Sequence, residues 1–204
     1  MATDSRSSEL LHRRGIWAIF LVGFMGAGKT TIGLATAKRL GWRFVDLDDE
    51  VEGQAGRSIA EIFRQDGEAE FRRLEIATLK RLSSSDDWHE GTVVALGGGA
   101  FVQAEIRAVI RSIGQPSVFL DAPVNELLAR CRKSTVERPL AKDEEQFRQL
   151  YAKRRDVYAK ADIQVSTAHR SQSKIVKELV NEVMSLAGRK AAAEKRESKR
   201  GAPQ

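Results

Sequence analysis

Cysteine and long apolar runs are scarce in this chain of 204 residues. The single cysteine, Cys131, excludes an internal disulfide, which fits a reducing compartment. No segment has the roughly 20 apolar residues that a membrane-spanning helix needs. Basic residues before the apolar stretch 16–25 resemble the start of a secretory signal, but that stretch leads directly into a phosphate-binding motif. We therefore expect a soluble cytoplasmic protein that does not bind membranes.

Two guanine-nucleotide motifs, N-K-x-D and D-x-x-G, are also missing, and their absence argues against a GTPase. No internal repeat is visible. The net charge of +6 comes mostly from residues 189–200, which hold six basic and two acidic side chains. Because the basic excess belongs to this terminal segment, we expect no nucleic-acid partner. Hydrophobic residues make up 42% of the chain, enough for the core of one domain.

The clearest motif is the sequence GFMGAGKT at residues 23–30. It follows the apolar run IWAIFLV and precedes a helical pattern, which is the strand–loop–helix context of a phosphate-binding loop. Glycines allow backbone N–H groups to surround a phosphate, Lys29 can reach the β- and γ-phosphates, and the Thr30 hydroxyl can bind Mg²⁺. A glycine-rich turn without a ligand would need neither side chain. The motif predicts binding of a nucleoside triphosphate.

Apolar runs and helical patterns alternate along the rest of the chain. This order predicts a parallel α/β sheet with its ligands at the carboxyl ends of the strands. The expected strands lie at about 16–22, 43–46, 92–96, 117–120 and 162–165. We expect a single domain over residues 15–187, between a flexible arm (1–14) and a disordered basic tail (188–204). Ser58 has the capping-box spacing to Glu61 and should begin a helix.

Several candidate site residues can be explained by a structural role as well as by a functional role. Asp121 is well placed to cap the helix that contains Pro123, and we favour that role over metal binding. Asp46 and Asp48 can serve a metal and an acceptor hydroxyl, or only the first turn of a helix. The triple glycine at 97–99 favours close approach of a ligand to the backbone over a plain flexible turn. In the pairs Arg72–Arg73 and Arg154–Arg155, either arginine can contact a carboxylate.

Taken together, the motifs resemble those of the shikimate kinase family. The matching segments are GFMGAGKTTIG, FVDLDDEVE, GRSIAEIF, DGEAEFRRLE, LGGGA, RPL and AKRRDVY, in that order over roughly residues 16–186. The resemblance implies a three-layer nucleoside-monophosphate-kinase-like fold with sheet order 2-3-1-4-5. It also implies a substrate-binding helical region at about 47–82 and a mobile lid at about 131–143. The implied reaction is transfer of the ATP γ-phosphoryl group to the 3-hydroxyl of shikimate, in the chorismate route to aromatic amino acids.

The resemblance also assigns site residues. It implies catalytic roles for Lys29, Asp48 and Arg138, with Asp48 as the candidate base and Arg138 as the lid arginine. Mg²⁺ would be held by Thr30 and, through water, by Asp46. ATP would be bound by Gly26, Ala27, Gly28, Lys29, Thr30, Thr31, Arg130, Arg138 and Arg170. Shikimate would be bound by Asp48, Phe63, Phe71, Arg72, Gly97, Gly98, Gly99 and Arg154, with Glu75 steadying Arg72.

Other functions compete with this interpretation. A kinase of the same fold acting on gluconate or a nucleoside monophosphate would share most of these motifs. An inactive relative could bind nucleotide and a partner protein, although such proteins usually lack part of the residue set. A nucleic-acid binder based on the basic tail would show steep salt dependence. The sequence favours a monomeric small-molecule kinase.

Overall fold

The five strands form one parallel sheet at the centre of the protein. The structure is a computed structural model that describes residues 4–133 and 143–200, without the side chains of residues 86, 87 and 194–200. The strand order is β2-β3-β1-β4-β5. The strands are β1 Ala18–Val22, β2 Arg43–Asp46, β3 Thr92–Ala95, β4 Ser117–Asp121 and β5 Ile163–Ser166. The expected fold class and sheet order are confirmed.

Helices cover both faces of the sheet, so the central strands are buried throughout. Every residue of β1 and β3 is buried, as near-continuous apolar sequence predicts for a parallel sheet between two helical layers. The described residues form helices α1 Ser5–Arg13, α2 Lys29–Leu40, α3 Leu47–Ala55, α4 Ile59–Gln65, α5 Gly67–Ser83, α6 Ala104–Ile113, α7 Val124–Lys133, α8 Glu144–Tyr158 and α9 Gln172–Arg200. None of the helices described combines the length and apolar character needed to cross a membrane.

Helices α3, α4 and α5 form a separate layer beside β2. The predicted capping box is confirmed: the Glu61 N–H donates to Ser58 Oγ at 3.3 Å, and the Ser58 N–H donates to Glu61 Oε2 at 2.9 Å. Val51, Ile62 and Phe71 form a small apolar cluster of their own. This cluster joins the three helices to one another, while Leu47, Leu79 and Leu82 pack into the main core.

The chain termini differ from the sequence expectation. Residues 5–13 form α1 rather than a flexible arm, because Leu11 is fully buried and the Trp42 indole N–H donates to Ser8 Oγ at 2.7 Å. The tail was expected to be disordered, but α9 continues to Arg200. Alanine, lysine, glutamate and arginine are strong helix formers, and Ala187 is fully buried, so the helix extends past the expected boundary.

One local expectation is wrong, and another falls mostly outside the described residues. Asp121 does not cap α7. Instead it ends β4, where its carboxylate accepts a hydrogen bond from Arg155 at 2.8 Å and another from Gln164 at 2.9 Å. The start of the expected lid, residues 131–133, belongs to the last turn of α7, and Cys131 is buried there. The central part of the lid, 134–142, lies outside the described residues.

Candidate active site

The phosphate-binding loop joins β1 to α2 at the carboxyl edge of the sheet. Gly28, with φ of 91°, is the N-cap of α2, so the first N–H groups of that helix open toward the loop. The Lys29 ammonium donates to the Gly23 carbonyl oxygen at 2.9 Å. This geometry keeps a positive charge over the loop, which suits a triphosphate.

A hydroxyl and a carboxylate meet beside the loop. Thr30 Oγ1 donates to Asp46 Oδ2 at 3.0 Å, and Asp46 Oδ1 accepts from the Asp48 N–H at 3.2 Å. Asp46 thus caps α3 with one oxygen and accepts from the Thr30 hydroxyl with the other. Mg²⁺ in nucleotide enzymes takes few protein oxygens and completes its shell with water and phosphate oxygens. This pair fits such an ion, although no group of three metal-binding side chains occurs among the residues described.

Two acidic side chains, the half-buried Asp48 and the fully buried Glu75, lie next to the triple glycine. A Cβ atom added at Gly97 would lie 2.4 Å from Asp48 Oδ1 and 3.0 Å from Glu75 Oε1. Neither oxygen has a hydrogen-bond partner in the described part of the chain. Burial, reinforced by the nearby charges of Asp46 and Glu75, raises the pKa of Asp48 to about 6. Burial also raises the pKa of Glu75, against the opposing effect of Arg72. Asp48 is therefore a carboxyl group that can exchange a proton near neutral pH.

Arg72, not Arg73, points into the site. Its guanidinium donates to Glu75 Oε2 at 2.5 Å and to Glu68 Oε1 at 2.9 Å, whereas Arg73 pairs with Glu70 and its side chain is 66% exposed. The Arg72 guanidinium also lies over Gly99, where an added Cβ would be 2.5 Å from Nη2. Arg72 is thus the arginine of this pair that faces Glu75 and the triple glycine, and Gly99 is needed to make room for it.

The acceptor side has an aromatic wall. The Phe71 ring lies 4.9 Å from the Phe63 ring and 5.0 Å from the Arg72 guanidinium carbon. Phe63 remains 39% exposed, which is unusual for a large apolar side chain. An apolar surface beside a fixed guanidinium suits a small ring that carries a carboxylate.

Helix α8 supplies a second arginine from the opposite side of the triple glycine. Arg154 Nη1 donates to the Gly98 carbonyl oxygen at 3.3 Å, while Arg155 turns outward to Asp121. The Tyr158 hydroxyl also donates to the Gly98 carbonyl oxygen. Burial raises the pKa of Tyr158 to about 12, so this hydroxyl remains protonated and acts as a donor. An added Cβ at Gly98 meets only the Met25 nitrogen, at 3.9 Å, so the backbone there is open to a ligand.

Sequence reasoning missed two members of this network. Gln103 Nε2 donates to Glu75 Oε2 at 2.8 Å, and Tyr158 contacts Gly98. The position of Tyr158 four residues after Arg154 places both on one face of α8, and that spacing was the available signal. Gln103 follows the triple glycine closely, but nothing in its local pattern indicates a contact with Glu75.

The nucleotide side is a cavity of about 270 Å³ between the phosphate loop and α9. The Arg130 guanidinium donates to the Thr167 carbonyl oxygen at 2.8 Å and to Glu126 at 2.9 Å. Arg170 donates to the Ser166 carbonyl oxygen at 3.2 Å and pairs with Glu178. The cavity is lined by Gly26, Ala27, Gly28, Thr31, Ile32, Arg130, Thr167, Arg170, Gln172 and Ile175. Arg138 lies outside the described residues.

The fold and this site define a P-loop phosphotransferase, with a cavity on the nucleotide side and two arginines and two carboxyl groups around the triple glycine. The family model for shikimate kinase matches residues 25–184. A shikimate kinase of Persephonella marina is 40% identical over 166 residues, which cover 81% of this chain and 98% of that protein. The chain therefore belongs to the shikimate kinase family. Its donor is ATP with Mg²⁺, and its acceptor is a hydroxyl of shikimate.

Solved structures agree with this assignment. The crystal structure of shikimate kinase from Aquifex aeolicus matches with a TM-score of 0.71 and 38% identity, over 83% of this chain and 99% of that one. Shikimate kinase from Acinetobacter baumannii in complex with shikimate matches with a TM-score of 0.74 and 31% identity, over 87% and 97%. The sequence resemblance to this family is confirmed.

Proposed function

We propose that this chain transfers the γ-phosphoryl group of ATP to the 3-hydroxyl of shikimate with Asp48 as the acceptor-side base. The observation that carries the residue assignment is the convergence of Asp48, Arg72 and Arg154 on the triple glycine beside the phosphate loop. Asp48 offers an oxygen without a described hydrogen-bond partner, and Arg72 and Arg154 offer two guanidinium groups. A hydroxylated ring with one carboxylate matches this set of groups.

In the proposed reaction the 3-hydroxyl oxygen attacks the γ-phosphorus, and the bond to the β–γ bridging oxygen breaks. The hydroxyl proton passes to Asp48, whose raised pKa suits an acceptor near neutral pH. Lys29 and the N–H groups of the loop hold the β- and γ-phosphates in line with the acceptor. Mg²⁺, held by Thr30 and through water by Asp46, would neutralise charge on the phosphates.

The remaining assigned residues orient the two substrates. Arg72 and Arg154 hold the shikimate carboxylate, Glu75 fixes Arg72, and Phe63 and Phe71 contact the ring. Gly97, Gly98 and Gly99 bring the backbone close to the acceptor. On the nucleotide side, Gly26, Ala27, Gly28 and Thr31 surround the phosphates, while Arg130 and Arg170 border the base. We assign Arg138 to closure over the phosphates, where it would exclude water as a competing acceptor.

Acceptor specificity and the role of Asp48 are tested in one assay. ADP release from Mg·ATP is measured with shikimate, gluconate, AMP, CMP or water as acceptor, for the wild type, Asp48→Asn and Asp49→Asn. Asp49 is the matched control because it is exposed and adjacent to Asp48 in α3. We expect turnover with shikimate alone, lost in Asp48→Asn and retained in Asp49→Asn. Equal loss of turnover in both variants would contradict the assignment of Asp48 as the base. Turnover by the wild type would still show the kinase activity.

The two arginine pairs provide a second matched test. Arg72→Lys keeps the charge but loses the planar fork that binds a carboxylate through two hydrogen bonds. We expect a higher KM for shikimate in Arg72→Lys, an unchanged KM for ATP, and no change of either in Arg73→Lys. An increase in the KM for ATP alone would place Arg72 on the nucleotide side.

We further propose that the protein acts as a cytoplasmic monomer without nucleic-acid partners. The single buried cysteine fits a reducing compartment. All the assigned site residues come from one chain, which supports a monomer. Light scattering coupled to size exclusion tests the monomer. A mass of two chains at assay concentration would contradict it.

A further inference from the structure

A second cavity, of about 260 Å³, lies at the opposite edge of the sheet from the catalytic site. It opens where α6 ends at Gly114, where β4 begins at Ser117 and where Asp162 precedes β5. The phosphate loop and the triple glycine lie at the carboxyl ends of their strands. A five-residue strand spans roughly 13 Å, and none of the residues assigned to the nucleotide or to shikimate lines this cavity.

Four basic side chains surround this cavity. Arg107 and Arg111 come from α6, Lys160 from the turn after α8, and Lys190 from α9. Among the side chains that the structure describes, no carboxylate forms an ion pair with any of the four. Close like charges repel one another, and Asp162 is the one acidic side chain among the described residues of the lining, so an anion in the cavity would relieve the remaining repulsion.

The acidic and neutral polar groups of the cavity are committed to the fold. Asp162 Oδ2 accepts from the Ser117 N–H at 2.8 Å and from Ser117 Oγ at 2.7 Å. The Gln115 amide accepts from the backbone N–H groups of residues 17 and 18 and donates to the Gly15 carbonyl oxygen. These groups are therefore structural, and the basic side chains are left as the groups that would contact a ligand.

Two of the basic side chains are held in position by the backbone. Arg107 Nη1 donates to the carbonyl oxygens of Phe101 and Val102, both at 2.7 Å, and Lys190 Nζ donates to the Gly114 carbonyl oxygen at 3.0 Å. Fixed donors lose little freedom when a ligand binds. Phe101 and Ile110 add apolar surface between the charges.

We propose that this cavity binds a small organic anion with two or three negative charges, either a polycarboxylate or a phosphate monoester. The small volume excludes a macromolecule from the interior, and the mixture of apolar wall and fixed cations suits a short carbon skeleton with ionised groups at its ends. The two anion classes share the same recognition chemistry. The binding experiment separates them by using one probe of each class.

The experiment uses the full-length chain with its catalytic site filled by a non-hydrolysable ATP analogue, Mg²⁺ and shikimate, so that the phosphate loop cannot bind the probe. Propane-1,2,3-tricarboxylate and glycerol 3-phosphate are titrated separately by isothermal calorimetry. The test variant is Arg111→Gln with Lys160→Gln, because both side chains are exposed. The control is Lys38→Gln with Lys153→Gln, which removes the same charge from exposed positions elsewhere.

We expect saturable binding of at least one probe to the wild type and to the control variant. Loss of two charge-assisted contacts should weaken that binding by about tenfold or more in the test variant. Which probe binds identifies the anion class. Absence of saturable binding of both probes at millimolar concentration would overturn the proposal. Equal weakening in the two variants would also overturn it, because that result indicates diffuse surface charge rather than a site.

Discussion

Replacement of Gly97 by alanine should disable catalysis while leaving the fold intact. The added Cβ would lie 2.4 Å from Asp48 Oδ1, whereas ordinary contacts of a Cβ begin at 3.4 Å. The Asp48 carboxylate must therefore move by about 1 Å. Gly97 has no positive φ, so the backbone itself accepts alanine without strain. The main effect of the substitution is thus the displacement of a side chain that we assign to the acceptor hydroxyl, with a smaller shift of Glu75, whose Oε1 would lie 3.0 Å from the added Cβ.

The size of the expected effect follows from that displacement. A misplacement of about 1 Å in a catalytic arrangement costs about 100-fold in rate. Overpacking at a buried position costs about 1–3 kcal/mol of stability, so the variant should still fold. We expect kcat for shikimate-dependent ADP formation to fall about 100-fold, on the basis of the same displacement. Circular dichroism and the melting temperature serve to verify the fold.

Gly53→Ala is the matched control, because a Cβ at Gly53 in α3 meets no atom within 4 Å. This variant should retain the wild-type kcat and, with a better helix former in place, match or exceed the wild-type stability. A wild-type kcat in Gly97→Ala would refute the reasoning. It would mean either that Asp48 can move without consequence or that it does not act on the acceptor.

Three further outcomes are expected. Arg138→Ala should lower kcat by about 1,000-fold with shikimate affinity largely retained, as measured by turnover and by binding of shikimate alone; equal loss of both would contradict the lid assignment. Asp48→Asn should stabilise the ligand-free protein by on the order of 1–3 kcal/mol near pH 8, because the raised pKa makes ionisation of Asp48 in the fold unfavourable. Protonation of Asp48 stabilises the folded wild type fully below about pH 4, and this stabilisation is lost as the pH rises through about 6. The difference in the free energy of unfolding between variant and wild type, measured in urea, should therefore vanish below about pH 4. Ser58→Ala should cost about 1 kcal/mol through loss of the capping box, again measured in urea; an unchanged midpoint would show that α4 is held by packing alone.

Sequence patterns predicted the fold well because its signals are local. The phosphate-loop motif, the buried run at 92–96 and the capping box at Ser58 each depend on residues close together in the chain. Parallel pairing followed from the alternation of apolar runs and helical patterns, whereas the sheet order came from the family resemblance. The terminal helices were missed because polar composition near an end favours disorder, whereas burial of Leu11 against the rest of the protein decides the outcome.

The candidate site could be predicted only in part. Its residue types were recognisable, but the choice of Arg72 over Arg73 depends on which side of α5 faces Glu75 and Gly99. The triple glycine was expected to admit a ligand. The structure shows that Gly97 and Gly99 first make room for the side chains of Asp48 and Arg72. Such contacts join residues far apart in the sequence, and no local pattern reports them.

The half-buried Asp48 carboxyl also couples shikimate binding to proton release. In the ligand-free protein this group holds a proton up to about pH 6. A substrate hydroxyl that donates to Asp48 would favour the ionised form and lower its pKa, so binding near that pH would release a proton to the buffer. Shikimate affinity should then rise as the pH increases through about 6, and the heat of binding measured by calorimetry should depend on the protonation enthalpy of the buffer.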